Sequence, residues 1–238
     1  MERAAVLGRL NWGLARVVEV VDETAHAKSL VLDPKDWAGH LAGQHVDVRL
    51  TAEDGYQAQR SYSIASAPED EHLVLTVERI EDGEVSPYLT DELHAGDDLE
   101  LRGPIGGYFV WEESLGGPLL LVAGGSGVVP LRAMLRHHRA VGSDVPARLL
   151  YSARTEADLL YRTELESFDT VVTLTREQWK GRTGRVGRDL LVEVGWPPAE
   201  QPRVYVCGPT GFVEGVAEAL VALGHEATRI RTERFGPT

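Results

Sequence analysis

The first half of the chain contains short apolar runs that alternate with polar positions and are bounded by turn residues, a pattern typical of strands. Six strands of this length predict a small antiparallel barrel. One helical stretch, Ser86–His94, interrupts them, with Pro87 in its first turn. The runs are Ala15–Val21, Ser29–Leu32, His45–Leu50, Ser61–Ala65, Leu73–Ile80 and Leu99–Arg102.

After the loop Trp111–Gly117 the pattern changes to continuous apolar runs separated by helical segments. This arrangement predicts an α/β domain with a doubly wound parallel sheet. The sequence therefore predicts a barrel domain over residues 1–112 and an α/β domain over residues 113–238. The predicted strands are Leu119–Ala123, Ala147–Ser152, Thr170–Thr175 and Arg203–Cys207, with Ile230–Phe235 as a further candidate, and the predicted helices are Val129–Val141, Glu156–Phe168 and Gly211–Leu223.

The composition agrees with two globular domains. The chain has 238 residues, of which 43% are hydrophobic and 26% charged, close to average usage. Its apolar stretches fall short of the roughly 20 residues needed to cross a bilayer, and the N-terminal sequence lacks the features of a signal peptide. We expect a cytoplasmic protein without a membrane span. The oligomeric state stays open, and a monomer is compatible with the sequence.

Charge and cysteine usage narrow the chemistry. The net charge of −13 argues against nucleic acid as a partner. Residues 1–113 contain 9 Lys/Arg and 23 Asp/Glu, a net charge of −14, whereas residues 114–238 contain 15 and 14, a net charge of +1. The single cysteine, Cys207, excludes an internal disulfide and an iron–sulfur cluster held by four thiolates. No histidine spacing typical of a metal site is present, so we expect no metal.

A glycine-rich turn follows the first strand of the second half. Leu119–Ala123 leads directly into Gly124-Gly125-Ser126-Gly127, and a helical pattern begins by Pro130. Glycines such as Gly125 and Gly127 let the backbone approach a pyrophosphate, and the N–H groups at a helix start favour an anion. Pro130 costs no hydrogen bond in the first turn. The turn alone indicates either a dinucleotide site or an ordinary strand-to-helix connection.

Two later strand ends carry further candidates for nucleotide binding. Ser152 and Arg154 end the second strand, where a guanidinium would suit the 2′-phosphate of NADPH. Arg162 and Arg176 could add to that charge, although arginines on a solvated edge give the same pattern. NADPH is favoured and NADH stays open. The other strand end is Cys207-Gly208-Pro209, where ligands of such sheets collect, although a lone cysteine is often a core residue.

The barrel carries a second constellation, Arg60-Ser61-Tyr62-Ser63, on one predicted strand. Alternation puts Arg60 and Tyr62 on one face and Ser61 and Ser63 on the other. A cation beside an aromatic ring suits a phosphorylated planar ligand: Arg60 for a pyrophosphate, Tyr62 for stacking and Ser63 for a ring nitrogen or carbonyl. A surface arginine beside a half-buried tyrosine is the alternative.

Taken together and in this order, these segments resemble the ferredoxin–NADP⁺ reductase family across nearly the whole chain. Arg60–Ser63 looks like the FAD signature of that family. The turn and helix start at Gly83-Glu84-Val85-Ser86 look like its FAD pyrophosphate site, with Val77 and Arg79 on the preceding strand as further candidates. Other segments that match are Gly43-Gln44, Gly103–Phe109, Gly124–Pro130, Ser152-Ala153-Arg154, Cys207-Gly208-Pro209 and the ending Glu233-Arg234-Phe235-Gly236.

The resemblance implies a free-standing flavoprotein reductase. Such an enzyme transfers hydride from nicotinamide C4 to flavin N5 and passes electrons to a separate protein, either a ferredoxin-type carrier or a partner oxidoreductase. The acidic flavin half favours a less acidic or basic acceptor. Direct reduction of free flavin, a quinone or a metal chelate is an alternative, and a non-catalytic subunit is another. Around the transfer zone the resemblance implies Tyr62, Ser63, Cys207, Glu233 and Phe235, with Glu233 handling a proton.

Overall fold

The computed structural model describes residues 10–236, and its first half is an antiparallel sheet that closes into a barrel. The strands follow the order β4-β3-β6-β1-β2-β5. A bridge between Ile64 and Leu75 joins the two edges. The predicted N-terminal antiparallel domain is confirmed. Its strands are β1 (Gly13–Thr24), β2 (Ala27–Pro34), β3 (His45–Thr51), β4 (Gln57–Ser63), β5 (Leu73–Glu78) and β6 (Asp98–Ile105).

Alternate positions of these strands fill the barrel with aliphatic side chains. Val46 and Val48 of β3 are fully buried together with Leu30 and Leu32 of β2, as the period of two requires. The helical stretch expected at Ser86–His94 is present as a π-helical turn, Tyr88–Glu92. It carries a buried leucine into the same core.

The second half is a parallel sheet in the order β10-β9-β8-β7-β11-β12, which confirms the predicted α/β domain. Buried residues of α1 pack on one face of this sheet, and those of α3 and α4 pack on the other. The strands are β7 (Leu119–Gly124), β8 (Ala147–Ala153), β9 (Thr170–Leu174), β10 (Arg182–Thr183), β11 (Arg203–Pro209) and β12 (Ile230–Phe235). The helices are α1 (Val128–Ala140), α2 (Arg162–Leu165), α3 (Arg188–Val194) and α4 (Thr210–Ala222).

The order of the strands reverses between β7 and β11. Successive strands run outward from β7 through β8 and β9 to one edge, and the chain then returns to add β11 on the other side of β7. Ligands of doubly wound sheets bind in the crevice beyond the strand ends at such a reversal. Both glycine-containing turns singled out in the sequence, at Gly124 and Gly208, end the two strands that flank it.

The predicted helix Glu156–Phe168 is wrong. The segment forms a 3₁₀ turn at Glu156–Asp158 and then the four-residue helix α2. Tyr161 separates them with a left-handed backbone, φ 55°. Its ring is buried, and its hydroxyl donates a hydrogen bond to Thr76 of the barrel. This contact between domains outweighs the local helical periodicity. Helix α3 and the two-residue strand β10 were not predicted.

A chain of hydroxyl groups crosses the interface between the two domains. Tyr161 donates to Thr76, the Thr76 hydroxyl lies 2.8 Å from that of Ser29, and Ser29 donates to the carboxylate of Glu23 at 2.6 Å. Since Ser29 gives its proton to Glu23, Thr76 donates to Ser29. Every buried hydroxyl in this chain therefore has a partner, which removes the cost of desolvating it.

Helix α1 adds a hydrogen bond and an ion pair, both from arginines, to the same interface. Arg132 donates to the carbonyl oxygen of Ala65 at 3.1 Å, and Arg136 grips both carboxylate oxygens of Asp70 at 2.6 and 2.9 Å. Glu164 accepts from both arginines.

We propose the domain boundary at residues 112 and 113, in the segment between β6 and β7. Within residues 10–236, no helix is long and apolar enough to cross a membrane.

We expect Thr76→Val to lower the free energy of unfolding by about 1–3 kcal/mol, because the buried Tyr161 hydroxyl loses its acceptor while the side-chain volume is unchanged. Urea unfolding of the variant and the wild type measures this difference. Thr76→Ser is the matched control, since it keeps the hydroxyl and loses one methyl group, worth about 0.8 kcal/mol. Equal losses in the two variants would contradict a contribution from the hydroxyl chain.

Candidate active site

The glycine-rich turn lies at the reversal of the strand order. Gly125 has a left-handed backbone, φ +56°, and a Cβ atom there would meet no atom within 4 Å, so this residue borders open space. At Gly127 a Cβ atom would lie 2.2 Å from the carbonyl oxygen of Cys207. Only glycine allows this packing between the turn and β11. Pro130 is buried in the first turn of α1, where its missing N–H costs no helical hydrogen bond.

The end of β11 forms the other wall of the crevice. Cys207 is buried. Burial is the larger cause, and the nearby Glu233 carboxylate the smaller one, that raises the pKa of its thiol well above the ordinary value. Gly208 follows, and Pro209 precedes helix α4. The ring of Phe212 packs over this end, since Cβ atoms at Gly124 and Gly208 would each lie 2.8 Å from its Cδ1 atom. Sequence reasoning missed Phe212.

Glu233 lies next to Cys207 in the register of β11 and β12. Burial raises the pKa of its carboxyl to about 7. Its Oε2 atom is buried and has no hydrogen-bond partner within residues 10–236. The Oε1 atom lies 3.9 Å from Nδ1 of His45, whose own pKa is lowered by burial. One oxygen of this half-buried carboxyl therefore lacks a partner within residues 10–236, beside Cys207 and His45.

His45 joins this group to the barrel. It lies opposite Ser63 in the β3–β4 ladder and opposite Ile105 in β6. The structure thus brings Ser63, His45, Glu233 and Cys207 together from both domains. Sequence reasoning missed His45, although it directly follows the family-like Gly43-Gln44. Phe235 ends β12 and packs, partly buried, against the core shared by the two domains.

The candidate residues for flavin binding on strand β4 lie in different surroundings and have different hydrogen-bond partners. Tyr62 is half-buried against the barrel core, and burial raises the pKa of its hydroxyl to about 12. Arg60 is exposed and donates to Glu84 at 3.1 Å. Ser61 points to the other face and donates to Asp47 at 2.7 Å. Its side chain is therefore engaged away from the surface that carries Arg60 and Tyr62.

The segment after β5 holds the remaining flavin candidates. The hydroxyl of Ser86 is buried and accepts from the N–H of Ile80 at 3.0 Å. At Gly83 a Cβ atom would lie 3.0 Å from both the carbonyl oxygen of Ile80 and Oγ of Ser86, so the turn is tight. The side chains of Val77 and Val85 lie inside the barrel core, which leaves only their backbone atoms for a ligand. Arg79 donates to Asp91 at 2.9 Å.

The three arginines assigned to the nucleotide differ in their partners. Arg154 and Arg176 are exposed, and the N–H of Arg176 donates to the carbonyl oxygen of Arg154 at 2.9 Å. Within residues 10–236, neither side chain makes a hydrogen bond or ion pair. Arg162 instead contacts Glu156 at 2.5 Å. Ser152 is buried at the end of β8. Two of the three guanidinium groups are thus available to a phosphate.

These features fit two nucleotide cofactors. A glycine turn with open space before it, two unpaired guanidinium groups and a helix start suit a nicotinamide nucleotide. An arginine, a half-buried tyrosine ring and a tight turn on the barrel suit a flavin nucleotide. Ser63, His45, Cys207 and Glu233 lie between these two sets of residues, and Oε2 of Glu233 is buried there without a partner within residues 10–236. No group of three or more metal-ligating side chains occurs in residues 10–236.

Family models match both halves of the chain. The model described as oxidoreductase FAD-binding domain matches residues 14–110, and the model described as oxidoreductase NAD-binding domain matches residues 121–218. The matched regions contain the barrel strands and most of the α/β domain. Each of the two domains therefore matches a family model for the cofactor expected there from the sequence.

Individual relatives agree with these models. Ferredoxin–NADP reductase B of Sorangium cellulosum is 35% identical over an alignment of 241 positions, which covers 93% of this chain and 96% of the relative. The glycine betaine monooxygenase reductase subunit of Chromohalobacter salexigens is 30% identical over an alignment of 246 positions that covers 97% of this chain, but the chain spans only 65% of that protein.

A solved structure extends the likeness to the whole fold. The flavohem-like FAD/NAD-binding domain of nitric oxide dioxygenase from Vibrio cholerae superimposes with a TM-score of 0.86 and 27% identity. The superposition covers 96% of this chain and all of that one. Together with the two domain models, these relatives confirm the resemblance drawn from the sequence. The chain belongs to the ferredoxin–NADP reductase family and is a flavin-dependent NAD(P)H oxidoreductase with an FAD-binding domain followed by an NAD-binding domain.

Proposed function

We propose that this reductase oxidises NADPH through bound FAD and passes the electrons to a separate redox protein. When bound, FAD supplies the conversion of a two-electron hydride donor into a source of single electrons. The observation that carries the proposal is the cluster between the domains in which His45, the neighbour of Ser63 on the barrel, approaches Glu233, the neighbour of Cys207 in the nucleotide domain.

The chain's own residues divide the work of binding. Gly125 and Gly127 shape the turn that takes the nicotinamide pyrophosphate, and Gly208 with Pro209 leaves room for the nicotinamide. Arg60 and the turn at Gly83 take the FAD pyrophosphate. On the flavin side, the Tyr62 ring stacks, the Ser63 hydroxyl hydrogen-bonds the ring system, and Phe235 shields the crevice from water.

Glu233 is the proposed proton-handling group. A carboxyl with a pKa of about 7 exchanges its proton near neutral pH, where an exposed glutamate is fully ionised. The thiol of Cys207 is held neutral by burial, so it acts as a small contact surface rather than as a nucleophile. His45 is the titratable neighbour of Glu233 on the barrel side.

Charge distribution and the relatives support a protein acceptor. The flavin half carries a net charge of −14, which attracts a basic protein surface and repels an acidic one. One relative that covers the chain is a monooxygenase reductase subunit. We propose as acceptor a partner oxidoreductase that presents a basic face. A strongly acidic ferredoxin fits this surface less well.

We expect Arg154→Ala to weaken NADPH binding about tenfold or more while changing NADH binding little, because the guanidinium contacts only the 2′-phosphate. Stopped-flow reduction of the bound flavin over a range of NADPH and NADH concentrations measures both. Arg162→Ala is the control, since that side chain is already paired with Glu156. Equal weakening for the two nucleotides would refute the 2′-phosphate assignment.

We expect Glu233→Gln to remove a pH dependence of stability. Its carboxyl pKa is raised from 4.5 to about 7 in the folded chain, so the folded state binds that proton more tightly than the unfolded state. This stabilisation is complete below the unfolded pKa and is lost as the pH rises through 7. Between about pH 5 and about pH 8 the wild type should lose about 2–3 kcal/mol more unfolding free energy than the variant.

Urea unfolding at several pH values tests this expectation. The exposed Glu226, replaced by Gln, is the matched control because it removes one carboxylate from the same domain without relieving burial. Its pH profile should run parallel to that of the wild type. If the profile of Glu233→Gln does so as well, the carboxyl is not the buried proton site proposed.

We expect reduction of a basic acceptor protein to slow about tenfold between about 0.05 M and about 0.5 M salt, because ions screen the attraction to the acidic half. Steady-state rates with a basic haem protein and with an uncharged quinone give the comparison. The quinone rate should stay constant. If the reduction rate of the basic acceptor does not fall with salt, and the quinone is reduced faster than that acceptor, direct reduction of small molecules is favoured instead.

A further inference from the structure

The guanidinium assigned to the FAD pyrophosphate already has an anionic partner. Arg60 donates from Nη2 to Oε2 of Glu84 at 3.1 Å and from Nη1 to the carbonyl oxygen of Gln59 at 2.7 Å. Tyr56 donates its hydroxyl to the other carboxylate oxygen, Oε1, at 2.7 Å. A carboxylate therefore occupies the same guanidinium group that a pyrophosphate would need.

The hydrogen bonds favour the ionised form of this carboxylate. The Tyr56 hydroxyl, with the Arg60 guanidinium beside it, holds the pKa of Glu84 below its ordinary value. The carboxylate raises the pKa of the Tyr56 hydroxyl in turn. Glu84 is thus an anion at every pH at which the enzyme would work, and it stands where another anion has to bind.

The backbone that carries Glu84 is firmly held. Its neighbour Val85 is buried in the barrel core, and Ser86 is tied to the N–H of Ile80. Gly83 packs tightly against the carbonyl oxygen of Ile80. The carboxylate can leave Arg60 by rotating its side chain, but the loop keeps its charge near the bound pyrophosphate.

We propose that Glu84, oriented by Tyr56, competes with the FAD pyrophosphate for Arg60 and lowers the affinity of this chain for FAD. The inference rests on the proposed function of Arg60 as a pyrophosphate ligand. FAD binding has to break the contact between Arg60 and Glu84 and then tolerate a like charge beside it. Because Glu84 lowers the affinity for FAD, the bound flavin exchanges with free flavin more readily than it would without this carboxylate.

Titration of the flavin-free protein with FAD, followed by flavin fluorescence and by calorimetry, tests this. Glu84→Gln should tighten FAD binding about 3- to 10-fold, since one negative charge near the pyrophosphate is removed. Raising the salt from about 0.05 M to about 0.5 M should shrink the difference, because exposed charges are screened. Tyr56→Phe frees the carboxylate to turn away and should tighten binding by a smaller factor.

Glu81→Gln is the matched control. Glu81 is exposed in the same loop and has no hydrogen bond or ion pair within residues 10–236, so its replacement changes the net charge equally without freeing Arg60. It should alter FAD affinity less than Glu84→Gln does. Thermal unfolding of each flavin-free variant shows whether the fold is intact.

Arg60→Ala distinguishes the proposed function of Arg60 as a pyrophosphate ligand from the proposed competition by Glu84. A variant that binds FAD as tightly as the wild type would show that Arg60 is not a pyrophosphate ligand, and the proposed function of this residue would fail. If Arg60→Ala weakens binding while Glu84→Gln leaves it unchanged, only the competition is refuted. Weaker binding in Glu84→Gln would also overturn it, because the carboxylate would then be a ligand of FAD.

Discussion

Helix α1 is packed against the parallel sheet on one side and against the barrel on the other. Its apolar residues lie in a core that also contains Ala42 and Ala65 of the barrel. Gly43 permits this approach, because a Cβ atom there would lie 2.6 Å from Cε of Met134 and 2.0 Å from the carbonyl oxygen of Phe109. The glycine turn opens this helix, and Arg132 ties the helix to Ala65, two residues beyond Ser63. One rigid element therefore fixes the separation of the two proposed cofactor sites.

Burial has a common effect on the acidic groups around the crevice. It raises the pKa of the Tyr62 hydroxyl, the Cys207 thiol and the Glu233 carboxyl. Burial also lowers the pKa of His45, so both signs of charge are disfavoured. In a chain with a net charge of −13, the crevice is thus a region of low charge. Such a region strengthens the electrostatic effect of any group that does ionise there, which supports the proposed role of Glu233 as the proton-handling group.

The sequence predicted those features that depend on local period. Alternation in the first half and continuous apolar runs in the second identified both sheets, and alternation correctly set Ser61 on the face opposite Arg60. Features that depend on contacts between distant segments were not predictable. Tyr161 breaks its helix because of a hydrogen bond to the other domain, and the approach of His45 to Glu233 joins segments from opposite ends of the chain. Neither contact changes the spacing of hydrophobic residues from which the elements were predicted.

The arginines show why residue type alone does not identify an anion site. Arg154 and Arg176 belong to a nearly neutral half and keep their guanidinium groups free within the described residues, whereas the described arginines of the acidic half are paired, as Arg60 is with Glu84 and Arg79 with Asp91. Phosphate binding in the second half can therefore draw directly on side-chain charge. In the first half the proposed competition with carboxylates leaves a larger share of the flavin affinity to backbone N–H groups and ring stacking.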